Sequence, residues 1–158
     1  MATQGYSEAT APATHTTARR ATFFLIATAG VSLVGLTDAL YLTALHLSGA
    51  TARCTVLTGC SEVLGSPYAT IGGVPLALLG ACAYFSVFSL SLLAAFGYRF
   101  AVTFLFPLVA LMCVVSLLLV GLQAFVIGAF CEFCLLSACV TFVLFALMML
   151  TRRAARST

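Results

Sequence analysis

CEFCLLSACVTFVLFALMML, residues 131–150, is apolar over the length of a membrane crossing and carries a single charge, Glu132. About 30 Å of hydrocarbon needs about 20 helical residues, so the stretch reads as a transmembrane helix. Working back toward the N-terminus, the same pattern recurs at about Ala21–Leu47, Pro75–Phe96 and Phe100–Phe125. Four crossings use most of a 158-residue chain that is 63% hydrophobic and 7% charged. A soluble domain of this size carries about 25% charge, and the mean hydropathy of +1.18 excludes one here. The expected fold class is an all-α membrane protein, a four-transmembrane-helix bundle.

The net charge of +3 comes from seven Arg and no Lys, and its placement excludes a nucleic-acid surface. Arg19 and Arg20 precede the first apolar run, Arg99 separates the second from the third, and Arg152, Arg153 and Arg156 follow the fourth; Arg53 alone falls in the first connection. The positive-inside rule then puts both termini in the cytoplasm and the first and third connections outside. Met1–Thr17 shows no apolar periodicity and reads as a disordered head. The expected organisation is a cytoplasmic head over residues 1–20, a membrane domain over 21–151 and a basic cytoplasmic tail over 152–158. Arg19-Arg20 ahead of an apolar stretch resembles a twin-arginine leader, but the stretch is too long for a signal peptide and lacks a clear cleavage site.

The first outer connection, Ser48–Gly73, is the longest polar stretch between spans. Its Cys60–Leu64 segment suits a short surface helix ended by Gly65. Pro75 suits the first turn of the second span, where its missing N–H costs nothing. Gly97-Tyr98-Arg99 makes the inner turn, and Pro107 is expected to kink the third span.

The seven cysteines divide by depth. Cys54 and Cys60 lie in the first outer connection and Cys131 and Cys134 at the outer mouth of the fourth span, so two pairs meet on the side where disulfides persist. Cys82, Cys113 and Cys139 fall inside spans and read as small apolar helix residues. Cys131 and Cys134 share a helical face within disulfide range, and a helix N-terminus favours thiolate. That pattern fits an electron relay: a loop pair exchanging with a soluble partner, and a fixed pair at the membrane surface. Half a zinc site, as in a cysteine-rich metal-binding or transport protein, and purely structural disulfides are the alternatives. No nucleotide loop, haem ligand pair or flavin fold accompanies the cysteines, so a terminal two-electron acceptor would be a diffusible quinone.

Four spans, Cys54-x5-Cys60 in the first outer loop, Ser66 six residues on, Tyr68-Ala69-Thr70-Ile71-Gly72-Gly73-Val74-Pro75 entering the second span, and a CxxC opening the last span resemble the bacterial vitamin K epoxide reductase homologues over about Ala21–Thr151. The quinone-linked DsbB-type oxidases carry their CxxC in the first loop, the reverse order. The resemblance implies a thiol oxidase of the bacterial cytoplasmic membrane that takes electrons from a secreted thioredoxin-like or DsbA-like protein and passes them to ubiquinone or menaquinone. It assigns Cys54 as acceptor from the partner, Cys60 as the group exchanging with Cys131, Cys134 as the thiol beside the quinone, and Ser66 as a hydrogen-bonding group to quinone or thiolate. Ala138 stands one turn below Cys134, where vertebrate members have tyrosine, and is nominated for the quinone wall; that departure argues against epoxide reduction. The chain ends at Thr158 without a fused thioredoxin-like domain, so the expected partner is a separate polypeptide.

Asp38 is costly inside a span and is expected to pair with Tyr41, three residues on. His46 reads as an interfacial, wet side chain, and Glu132 as a residue favouring the start of the last helix.

Overall fold

The computed structural model describes residues 12–50, 54 and 59–156. Arg53 and the first part of the expected head lie outside the described residues. The chain forms α1 (Pro12–Leu47), α2 (Cys60–Leu64), a 3-10 turn (Pro67–Ala69), a two-stranded hairpin of β1 (Thr70–Ile71) and β2 (Val74–Pro75), α3 (Leu76–Ala95), α4 (Arg99–Leu122) continued by a π-helical turn (Gln123–Ile127), and α5 (Glu132–Arg156).

Four of these helices are long and apolar enough to cross a membrane, with mean hydropathies of 1.8, 2.0, 2.8 and 2.6 in chain order. The protein is a four-helix membrane bundle in which α1 packs on α3 and α5, and α4 packs on the same two helices. Leu25, Ala81, Tyr84, Val87, Leu105, Val109, Leu144 and Met148 form its centre. The outward faces are no less apolar: Phe104 is 60% exposed, Leu118 68% and Phe125 91%. Such a surface is stable against lipid rather than water. Cys82 and Cys139 are exposed on this outer surface, so they are apolar in use but not core residues.

Several hydroxyl groups inside the spans are satisfied within their own helices, whereas the buried Ser91 Oγ on α3 has no partner among the described residues. Thr28 donates to the Phe24 carbonyl at 2.8 Å, and Thr43 to that of Ala39 at 2.7 Å. Each local bond removes the cost of a bare polar group in hydrocarbon. Arg152, near the C-terminal end of α5, lies over the Phe106 ring at 3.5 Å, where its charge meets the negative face of the ring.

Three boundaries differ from the sequence reading. α1 begins at Pro12, so the part of the expected head from Pro12 onward is helical: proline suits a first turn, and the Ala-rich segment continues the helix past Arg19-Arg20. Pro75 is extended (φ −58°, ψ 131°) and pairs with Thr70 across the hairpin, so α3 starts one residue later. The third span runs to Ile127, not Phe125, because the π-helical turn carries it further. The short helix Cys60–Leu64 with Gly65 at its C-cap stands as read from the sequence.

Candidate active site

The end of the bundle opposite the arginines of α1 and α5 holds a second apolar cluster. Leu42, Cys60, Val63 and Cys131 are its buried members, with Cys54, Leu64, Phe133 and Cys134 packed against them. Cys54, Cys60, Cys131 and Cys134 therefore share one cluster, although the two pairs lie far apart in sequence. Cys54 and Cys60 form a disulfide with a Cα–Cα distance of 5.7 Å. Cys131 and Cys134 are free thiols, the first fully buried.

The fit between loop and helix mouth depends on Gly59. A Cβ there would stand 2.7 Å from the Phe130 carbonyl oxygen and 2.8 Å from its nitrogen. Only glycine allows the chain entering Cys60 to lie this close to the backbone entering Cys131.

Gln123 fixes the other approach. Its backbone carbonyl accepts from Gly128 N–H at 2.9 Å, and its side-chain oxygen accepts from Cys131 N–H at 2.9 Å. One residue thus anchors both ends of the connection into α5, and the π-helical turn that begins at Gln123 aims it there. The Cys131 carbonyl then accepts from Leu135 N–H at 3.0 Å, which makes Cys131 the residue that starts α5. Sequence reading missed Gln123; the available signal was a lone amide near the end of an apolar span.

The Cys131 thiol is lowered to about 7 from an ordinary value of 9.0. The Cys134 thiol donates to it, which is the largest influence; burial acts in the opposite sense, the Cys134 and Phe133 N–H groups stabilise the thiolate further, and the nearby Asp38 carboxyl opposes it to whatever extent it ionises. Thiolate is the form that attacks disulfides and the better leaving group from them.

Beneath the cysteines lies a cavity of about 660 Å³ walled by α1, α3, α4 and α5 and roofed by the segment from Ser61 to Ile71. The volume falls in the range of small-molecule sites. Cys134 and Ser66 both line it, whereas Cys131, Cys54 and Cys60 do not. Ser66 spends its hydroxyl hydrogen on the Val63 carbonyl at 2.7 Å, leaving its oxygen able to accept. Ala138 is buried and stands off the lining; Ser137 and Thr141 carry the wall below Cys134 instead. Their hydroxyls meet Tyr84 Oη at 2.8 and 2.9 Å, and Tyr84 Oη also donates to the Ser137 carbonyl at 2.8 Å. Tyr84 reaches this position because α1 presents Gly35 to its ring; a Cβ there would lie 2.4 Å from it.

Asp38 also lines the cavity, and its expected pairing with Tyr41 does not occur. Tyr41 is 48% exposed and packs on the Phe133 ring at 5.5 Å, while Asp38 Oδ2 is buried with no hydrogen-bond partner among the described residues. The aromatic contact across to α5 holds the tyrosine away from the carboxyl. His46 is exposed at the cavity mouth. Among the described residues no three His, Cys, Asp or Glu side chains gather as ligands for one metal ion.

Two facing cysteine pairs, one open onto an apolar cavity in a membrane bundle, define a class of membrane thiol–disulfide oxidoreductases. The sequence profile of the vitamin K epoxide reductase family matches residues 26–149, and the chain belongs to that family. Its members are oxidoreductases that act on thiols and disulfides with quinone. No curated relative matches the chain.

Proposed function

We propose that the protein is a quinone-linked thiol oxidase that reoxidises a separate secreted thioredoxin-like or DsbA-like protein and so supports disulfide formation. The observation that carries this reading is the gathering of Cys54, Cys60, Cys131 and Cys134 in one cluster, with Cys134 alone among them on the cavity wall. The cavity suits the quinone: its wall is largely apolar, and the few polar groups include one carboxyl oxygen without a partner. When bound, ubiquinone or menaquinone supplies a two-electron, two-proton acceptor.

The chain's own steps are thiol exchanges. The partner dithiol reduces the Cys54–Cys60 disulfide through a mixed disulfide at Cys54. Cys60 then attacks the Cys131–Cys134 disulfide at Cys131, and Cys134 departs. Cys54 attacks Cys60, closing the loop disulfide and expelling Cys131. A low thiol pKa speeds departure, so the hydrogen bonds that stabilise the Cys131 thiolate favour this direction. The arrangement seen here, loop pair closed and CxxC open, is the product of that exchange. Cys134 then faces the cavity with its two-electron load.

The basic ends of α1 and α5 and the start of α4 support a topology with both termini cytoplasmic and the redox cysteines outside, in a bacterial cytoplasmic membrane.

Purified protein in detergent, supplied with a reduced DsbA-like protein and quinone, tests the order optically. Wild type should turn over. Cys134→Ala should be inactive with any donor, and Cys54→Ala should fail with the protein donor yet work with a small dithiol. Undiminished quinone reduction by Cys134→Ala would remove the CxxC from the quinone step.

A further inference from the structure

Four polar side chains on the cavity wall below the cysteines differ in one respect. Tyr84, Ser137 and Thr141 satisfy one another, whereas Asp38 Oδ2 has no hydrogen-bond partner among the described residues. Asp38 is only 8% exposed, so water at the protein surface does not serve it. A bare carboxylate in hydrocarbon is among the costliest groups a membrane helix can carry, and such residues mark ligand or proton sites. The groups around it offer no compensation. Its electrostatic neighbours are Tyr84 on α3 and Cys131 and Cys134 at the head of α5. On α1 itself Tyr41 turns away, and His46 lies about 12 Å up the helix by its eight-residue separation. The cavity-lining side chains of α4, among them Ser116 and Gln123, carry no charge. None of these is a fixed cation.

We infer that Asp38 is a catalytic residue of the quinone step: as a neutral carboxyl it donates a hydrogen bond to a quinone oxygen in the cavity and delivers a proton there. The inference rests on the function proposed above. The balance closes within the site. Closing the Cys131–Cys134 disulfide breaks two S–H bonds, forms one S–S bond and releases two electrons and two protons. The quinone takes both electrons and gains two O–H bonds. One of the two protons passes by way of Asp38, which gives its own to the quinone oxygen and is refilled from the thiol pair, so the carboxyl ends as it began.

The experiment compares wild type, Asp38→Asn and Asp38→Glu in detergent with decylubiquinone as the probe. Infrared difference spectra should show a neutral carboxyl band in wild type that shifts when the quinone is added. The band should vanish in Asp38→Asn and return, displaced, in Asp38→Glu. General acids contribute about 10²–10⁴-fold, so kcat for quinone reduction should fall at least ~10²-fold in Asp38→Asn and recover in part in Asp38→Glu. Both variants should keep the wild-type far-ultraviolet circular dichroism spectrum and form the Cys54–Cys60 disulfide, which shows that they are folded. An Asp38→Asn protein with wild-type kcat, or a wild-type carboxyl band that ignores quinone, overturns the inference. If wild type itself reduces no quinone while its Asp38 band still shifts on quinone addition, the thiol-oxidase function fails and the Asp38 contact stands.

Discussion

The two cysteine pairs meet in one cluster but are held by opposite means. Cys54 lies outside regular structure, and what joins it to Cys60 is the disulfide itself. Cys131 and Cys134 need no covalent link. Helical spacing keeps them together, Gln123 anchors the backbone before them, and the first N–H groups of α5 favour a thiolate at Cys131. A pair held by its own bond can exchange that bond with a partner from outside. A pair held by a helix keeps its place over the cavity in either redox state. Under the proposed function, the difference suits one pair to receiving electrons and the other to delivering them.

The largest expected effect divides the pairs by donor. Cys134→Ala should lose at least ~10³-fold in quinone reduction with every donor, since an essential redox nucleophile has no substitute. Cys54→Ala should show a comparable loss with a protein donor and little with dithiothreitol. Equal losses for both variants with dithiothreitol would erase the distinction.

Gly59→Ala should separate the pairs without touching a cysteine. The new Cβ meets the Phe130 backbone at 2.7–2.8 Å, and backbone cannot swing aside as a side chain can. Overpacking of this kind costs about 1–3 kcal/mol. Trapping the Cys60–Cys131 disulfide in a Cys54→Ala, Cys134→Ala background should become about 10-fold slower, while Cys131–Cys134 closure by a small oxidant stays unchanged.

How much of this was legible in the sequence follows from the range of each interaction. The four spans and the helix Cys60–Leu64 were readable because hydropathy and a terminal glycine are local signals. The meeting of the pairs was suggested by membrane side alone. The cavity wall was not readable: Tyr84, Ser137 and Thr141 are polar in a way that only three-dimensional contact reveals, and Ala138, one turn below Cys134, stands off a lining that its neighbour Ser137 forms. Asp38 was read as paired because Tyr41 is near in sequence, yet the ring of Phe133, from another helix, holds that tyrosine elsewhere.

A pH titration sharpens the contrast at the level of the thiol. The ultraviolet absorbance of thiolate, taken as reduced wild type minus Cys131→Ala, should rise with a midpoint near the value of about 7. In Cys134→Ala the midpoint should move up toward 9.0, because the largest stabilising hydrogen bond is gone. The folded value lies below the ordinary one, so the associated stability is fully present above about 9 and is lost as pH falls through about 7. Reduced wild type should therefore melt higher at pH 9 than at pH 7 when each is referred to Cys131→Ala.

The smallest effect probes what holds the helix pair. Gln123→Leu keeps the bulk of the side chain but deprives Cys131 N–H of its 2.9 Å acceptor, leaving a donor bare in a site where Cys131 is fully buried. Such a group costs about 1–3 kcal/mol, and a lower melting temperature should report it. The Cys54–Cys60 disulfide should react with a partner thiol at the wild-type rate, because Gln123 bonds to the connection before α5 and not to the loop. If the loop pair slows as much as the helix pair, the two are one mechanical unit, and the opposite means by which they are held do not translate into separate roles.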